Sequence, residues 1–140
     1  MTTSTIFSVH NKVVYRRLID EIFNEGRLDM INEVLSPSYI YHDAPQGTPP
    51  GLEGIKQIVS AFRAAFPDLK ITIEDQISEG DKVCSRTTMR GTHKGIIFGI
   101  PPTGKSITMH GMTMARIADG LVIESWVKND VKGLLDQLEE

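Results

Sequence analysis

The stretch SITMHGMTMARIADGLVIESWVKND, residues 106–130, decides the fold. Its two apolar, partly β-branched runs flank Asp119-Gly120, a pair favoured in two-residue hairpin turns because both positions tolerate positive φ. The stretch therefore reads as a β-hairpin of Ser106–Ile117 and Leu121–Asp130. With Ala118 facing Leu121, an unbroken register sets Thr113 opposite Trp126 and Met109 opposite Asp130. One face then carries Met109, Gly111, Thr113, Ala115, Trp126 and Asp130. The other carries His110, Met112, Met114, Arg116, Val127 and Asn129. The first face is small or aromatic and ends in an acid, which suits a pocket wall. A carboxylate beside Trp126 in a partly dry site has a raised pKa and can move protons near neutrality. Equally, Asp130 can cap the helix that follows, since Asp is a favoured N-cap. One extra turn residue exchanges the two faces.

Upstream, the period changes from two to 3.6. Val14, Tyr15, Leu18, Ile19, Ile22 and Phe23 form an amphipathic helical stripe that Gly26 can stop. A second short helix is expected over Asp29–Leu35, closed by Pro37. A third is expected over Leu52–Phe66, closed by Pro67. Ile71, Ile73 and Ile77 lie on one parity of a half-buried strand, and Glu79-Gly80-Asp81 turns it into a second strand, Val83–Arg90. Tyr39–His42 reads as an edge strand, Gly91–Gly104 as a Gly-rich loop, and Gly133–Leu138 as a tail helix. Helices packed on one face of a bent sheet make an α+β domain spanning residues 1–140, and strong curvature leaves a hollow for a small ligand.

The 140 residues carry a net charge of -3, with acids and bases interspersed. No basic stripe could neutralise a run of phosphates, so nucleic acid is not an expected partner. No apolar run is long enough for a membrane span, and Met1 to Ser8 lacks the pattern of a signal peptide. The single Cys84 suits a reducing, cytoplasmic setting.

Gly99-Ile-Pro-Pro-Thr-Gly104-Lys105-Ser106 satisfies the letters of a phosphate-binding loop. Its physics does not fit: Pro101 and Pro102 have no N–H to offer a phosphate, and a strand rather than a helix follows. His10, His42, His93 and His110 show no zinc-ligand spacing, so no metal is expected. His42-Asp43 leaves the edge strand for a Pro- and Gly-rich loop, where Asp43 is either functional or the maker of an Asx turn.

Several of these features, in order, resemble the SnoaL-like polyketide cyclase (ester cyclase) group of the nuclear-transport-factor-2-like superfamily. They are Phe23-Asn-Glu-Gly26, Phe66-Pro-Asp-Leu69, Gly80-Asp81-Lys-Val83, Gly91-Thr-His93-Lys-Gly95, Gly99 to Gly104, Arg116 with Asp119-Gly120, Trp126 with Asp130, and Leu134-Leu-Asp-Gln-Leu138. The resemblance implies a cone-shaped barrel, with three N-terminal helices packed on a strongly bent, mostly antiparallel sheet. It also implies one pocket per subunit and a homodimer or larger assembly. By the same resemblance Asp130 is the general acid/base of a cofactor-independent aldol ring closure. The family also implies a histidine beside that acid, but the pocket-parity positions Met109, Gly111, Thr113 and Ala115 supply none. The expected lining of the pocket is Trp126, Thr113, Met109, His42, Asp43, Phe98 and Tyr15.

Three functions compete. The first is a cofactor-independent enzyme acting on a small apolar carbonyl compound through Asp130. The second is a ketosteroid-isomerase-like enzyme using Asp43. The third is a non-catalytic carrier of a small hydrophobic ligand.

Overall fold

The computed structural model describes residues 3–139; Met1 and Thr2, part of the stretch read as lacking a signal peptide, and Glu140 lie outside them. The first helix, α1 (Thr3–Arg17), continues without a break into a π-helical segment, Leu18–Asn24. Val14, Tyr15, Leu18, Ile19 and Ile22 are buried along its stripe, as the apolar spacing demands. Gly26 stops it in the left-handed region at φ 70°. The guanidinium of Arg63 then bonds the open carbonyls of Phe23 (2.9 Å) and Asn24 (2.6 Å). A β-carbon on residue 26 would lie 2.6 Å from the Nε of Arg63, so glycine is required twice over.

The second expected helix is a 3-10 segment, Leu28–Glu33. It is short because Leu35 already belongs to strand β1 (Leu35–Tyr41), where it is fully buried opposite Val122. Tertiary burial outweighs local propensity here. Pro37 is tolerated because β1 lies at the sheet edge, and the pairing breaks between Leu35 and Ile40.

Helix α2 (Gly51–Ala65) follows, then strands β2 (Lys70–Glu79), β3 (Lys82–Thr92), β4 (Ser106–Ala118) and β5 (Leu121–Asn129), then helix α3 (Val131–Glu139). The sheet order is β1-β5-β4-β3-β2, with β1 parallel to β5 and the other neighbours antiparallel. The architecture is α+β as expected. The sheet is strongly curled and not closed. Asn24 ties the π-helical end to β2 with two bonds to the backbone of Ile71, at 2.9 and 2.7 Å. Bulges interrupt β2 between Ile73 and Asp75, and β5 at Ile123. No described helix is long and apolar enough to cross a membrane.

The inner face of the curl holds two apolar clusters. One gathers Ile22, Leu35, Val59 and Val122; the other gathers Phe66, Met89, Ile107 and Leu134. Each fully buried aliphatic chain contributes roughly 1.5–3 kcal/mol. Between the clusters the packing is incomplete, and that gap is the site.

Candidate active site: an apolar cavity lined by neutral donors

A cavity of about 90 Å³ opens between the helices and the inner face of the sheet. Leu18, Ile19 and Phe23 close one wall, Ile55, Ile58 and Phe62 of α2 another, and Met89, Met109 and Val127 the floor. Its polar groups are Tyr15, Tyr39, Tyr41, Thr87, Thr113, Ser125 and Asn129. These are phenols, hydroxyls and one amide; the described lining includes no carboxylate and no imidazole.

Burial pushes the Tyr15 phenol up to about 12, offset in part by its contact with the Thr113 hydroxyl. Burial also drives Tyr39 upward, against its contact with Ser125, and Tyr41 is raised for the same reason. Near neutral pH all three stay protonated, so they act as hydrogen-bond donors rather than bases. Asn129 sits at the rim, its side-chain oxygen packed against Gly111. Among the described residues, no group of three or more His, Cys, Asp or Glu is placed to hold a metal.

Of the residues expected to line the pocket, Tyr15, Thr113 and Met109 are there. Trp126, His42, Asp43, Phe98 and Asp130 are not among the lining residues. The cause of the Trp126 and Asp130 misplacement is one residue. Ile117 pairs with Val122 as an unbroken hairpin requires, but Arg116 pairs with Glu124, leaving Ile123 unpaired. This bulge places two residues of β5 against one of β4 and flips every side chain beyond it. Trp126 thus faces Met114 rather than Thr113, and Ser125, Val127 and Asn129 turn inward instead.

Trp126 lies on the outer face, where it stacks on His42 with ring centroids 4.6 Å apart and planes 10° apart. His42 Nε2 lies 2.8 Å from Glu124, which also pairs with Arg116 at 2.8 Å. The His42 bond, followed by Arg116 and opposed by desolvation, holds the Glu124 carboxyl below its ordinary range. Desolvation works to raise Asp43. The bonds from Lys128 (2.7 Å) and the Val127 N–H (3.3 Å) outweigh it and hold that carboxyl low. Phe98 stands outside the cavity, edge-on to Phe62 at 6.3 Å.

Asp130 is exposed and accepts a 2.9 Å bond from the N–H of Gly133, so it caps α3. The cap, one of its two expected readings, is present.

Tyr39, Tyr41, Ser125, Thr87 and Asn129 line the cavity without having been singled out in the sequence. The Tyr39-Ile40-Tyr41 alternation was the available signal for two of them, since it sends both phenols to one face. Nothing comparable marks Ser125 or Asn129, whose orientation depends on the bulge.

The family description "SnoaL-like polyketide cyclase" matches residues 12–138. The chain is 30% identical over 118 residues to nogalonic acid methyl ester cyclase of Streptomyces nogalater, covering 83% of this chain and 88% of that one. Among solved structures, TsrD from Streptomyces laurentii superposes with a TM-score of 0.84 at 28% identity, covering 93% of this chain and 95% of that one. IdmH from Streptomyces antibioticus superposes with a TM-score of 0.81 at 32% identity, covering 93% and 99%. A match across nearly the whole chain, carried by both sequence and fold, makes this protein a member of the SnoaL-like polyketide cyclase family.

Proposed function

We propose that the cavity takes a small, mostly apolar carbonyl compound and promotes an aldol-type ring closure within it. The observation that carries the reading is the Tyr15–Thr113 pair: hydroxyl groups, held as donors, inside an otherwise apolar hollow. A carbonyl oxygen bound there gains negative charge when the adjacent carbon loses a proton, and preorganised donors stabilise that charge. The carbanion attacks a second carbonyl, one carbon–carbon bond forms, and the abstracted proton returns to the new alkoxide. The balance closes without oxidant, metal or organic cofactor. Asp130 is the proposed proton carrier, on the strength of the family resemblance.

The absence of a carboxylate from the described lining favours a second reading, a carrier that binds such a compound and leaves it unchanged. The isomerase reading through Asp43 has less support, because that carboxylate is engaged by Lys128 and held low. Incubation in heavy water with a methyl ester bearing a 1,3-dicarbonyl chain separates these readings. Ring closure and catalysed exchange, both reduced in Tyr15→Phe, support the cyclase. Saturable binding without either supports the carrier. Exchange abolished by Asp43→Asn alone would restore the isomerase.

A second copy of the chain is the proposed partner for the outer face of the sheet. Trp126, Met114, Cys84 and Ile77 form a row across it, Ile40 and Met112 lie in the rows on either side, and Ile77 is 71% exposed. Val127, expected in that row, faces the cavity instead.

A further inference from the structure

Ile97-Phe98-Gly99-Ile100 forms a tight turn closed by two bonds. Ile100 N–H donates to the Ile97 carbonyl at 2.9 Å, and Ile97 N–H to the Ile100 carbonyl at 3.2 Å. Phe98 has φ 51° and Gly99 φ 75°. Two consecutive positive φ values at the centre of a two-residue turn are the mark of type I′, which selects Asn, Asp or Gly first and Gly second. The chain obeys that rule at its other such turn, where Asp119 has φ 52° and Gly120 φ 76°. At Phe98 it does not. A bulky side chain crowds its own backbone in this region, and the conformation is strained.

The strain is not offset by burial, since Phe98 remains 48% exposed. Its aromatic neighbour is Phe62, met edge-on at 78° between planes, and Phe62 is a wall of the cavity. The base of the loop is fixed by comparison. Lys94 and Gly95 donate to the carbonyl of Ala65, Gly104 donates to the carbonyl of His93, and the buried His93 ring accepts a 3.2 Å bond from Thr103 N–H. Ile97 is buried in the second apolar cluster, which anchors the turn, while Phe98 at its tip and the preceding Ile96 stand out. Residues that break a local rule without a packing return mark functional positions.

We propose that Phe98 is a specificity-determining gate: its ring, poised over Phe62, closes on an apolar ligand entering the cavity. The proposal rests on the cavity being a ligand site, and it adds the residue that governs entry and release. Phe98→Asn suits the type I′ turn and removes the ring, whereas Phe98→Leu keeps an apolar side chain. Both are titrated with the neutral fluorophore N-phenyl-1-naphthylamine, with release followed by stopped flow and Tm measured alongside.

Phe98→Asn is expected to hold or raise Tm while weakening binding about 3- to 10-fold through faster release, the scale of one aromatic contact. Phe98→Leu is expected to stay near wild type. Unchanged affinity and release in Phe98→Asn would overturn the gate and leave the cavity reading intact. A loss of affinity that tracks a falling Tm would also overturn it, as general loosening. Failure of the wild type to bind the probe would overturn the cavity reading, and the gate with it.

Discussion

The side-chain oxygen of Asn129 occupies the space in which any residue but glycine at position 111 would carry its β-carbon. Gly111 on β4 and Asn129 on β5 are register partners, so the absence of one side chain positions the other at the cavity rim. Gly111→Ala must displace the amide or press on the Lys128 carbonyl, 3.3 Å from the new methyl. The expected loss is about 1–3 kcal/mol in urea unfolding, together with weaker ligand binding. Asn129→Ala should weaken binding with a smaller loss of stability. Wild-type behaviour in Gly111→Ala would show that the contact relaxes freely.

Asp130 offers a separation of structure from chemistry, because asparagine caps a helix about as well as aspartate does. Asp130→Asn should keep the bond to Gly133 and unfold within about 0.5 kcal/mol of wild type, whereas Asp130→Ala should lose about 1 kcal/mol. If Asp130 carries the proton, ring closure falls by at least about a hundredfold in both. Full turnover in Asp130→Asn would confine the residue to its cap.

The outer-face pair of His42 and Glu124 predicts an acid-sensitive contribution to stability. The Glu124 carboxyl is held below its ordinary value of 4.5, chiefly by His42. Its stabilising effect is therefore fully present above pH 4.5 and is lost as pH falls through the lower, folded value. Urea midpoints between pH 6 and pH 3 should drop less steeply for Glu124→Gln than for wild type. Parallel curves would show that the pair adds nothing measurable.

Self-association through the outer face predicts that Met114→Glu, at the middle of the apolar row, yields monomer at micromolar concentration without loss of Tm for the isolated chain. Sedimentation velocity reads this directly. A wild type that already sediments as a monomer would remove the proposed partner.

Most of the architecture was legible in the sequence because it follows from periodicity. The helical stripe of Val14 to Phe23, the alternation through Ile71 and Ile73, and the Asp119-Gly120 turn each carry a local cause. The second helix was misread because Leu35 is captured by Val122, a contact 87 positions away that no local pattern announces. The site was less legible for the same reason. Turn chemistry correctly paired Ala118 with Leu121, yet parity inverted beyond Ile123. Ile123 differs in no visible way from its neighbours in the run Leu121-Val122-Ile123. Its displacement turns Ser125 and Asn129, rather than Trp126, toward the cavity. Tyr15, Thr113 and Met109 line the cavity as expected because they lie on α1 and β4, whose own parity the extra residue of β5 leaves unchanged.

Both borders of the sheet carry features that discourage another strand. On β1, Pro37 lacks an N–H and the ladder breaks before Ile40; on β2, the ladder breaks between Ile73 and Asp75. A foreign strand would meet missing donors on one side and a kinked row on the other. Open-ended, fibre-like growth is thereby blocked at both edges. The self-association proposed above uses the broad outer surface instead, and a two-fold contact through one such patch closes with two molecules rather than continuing to a third.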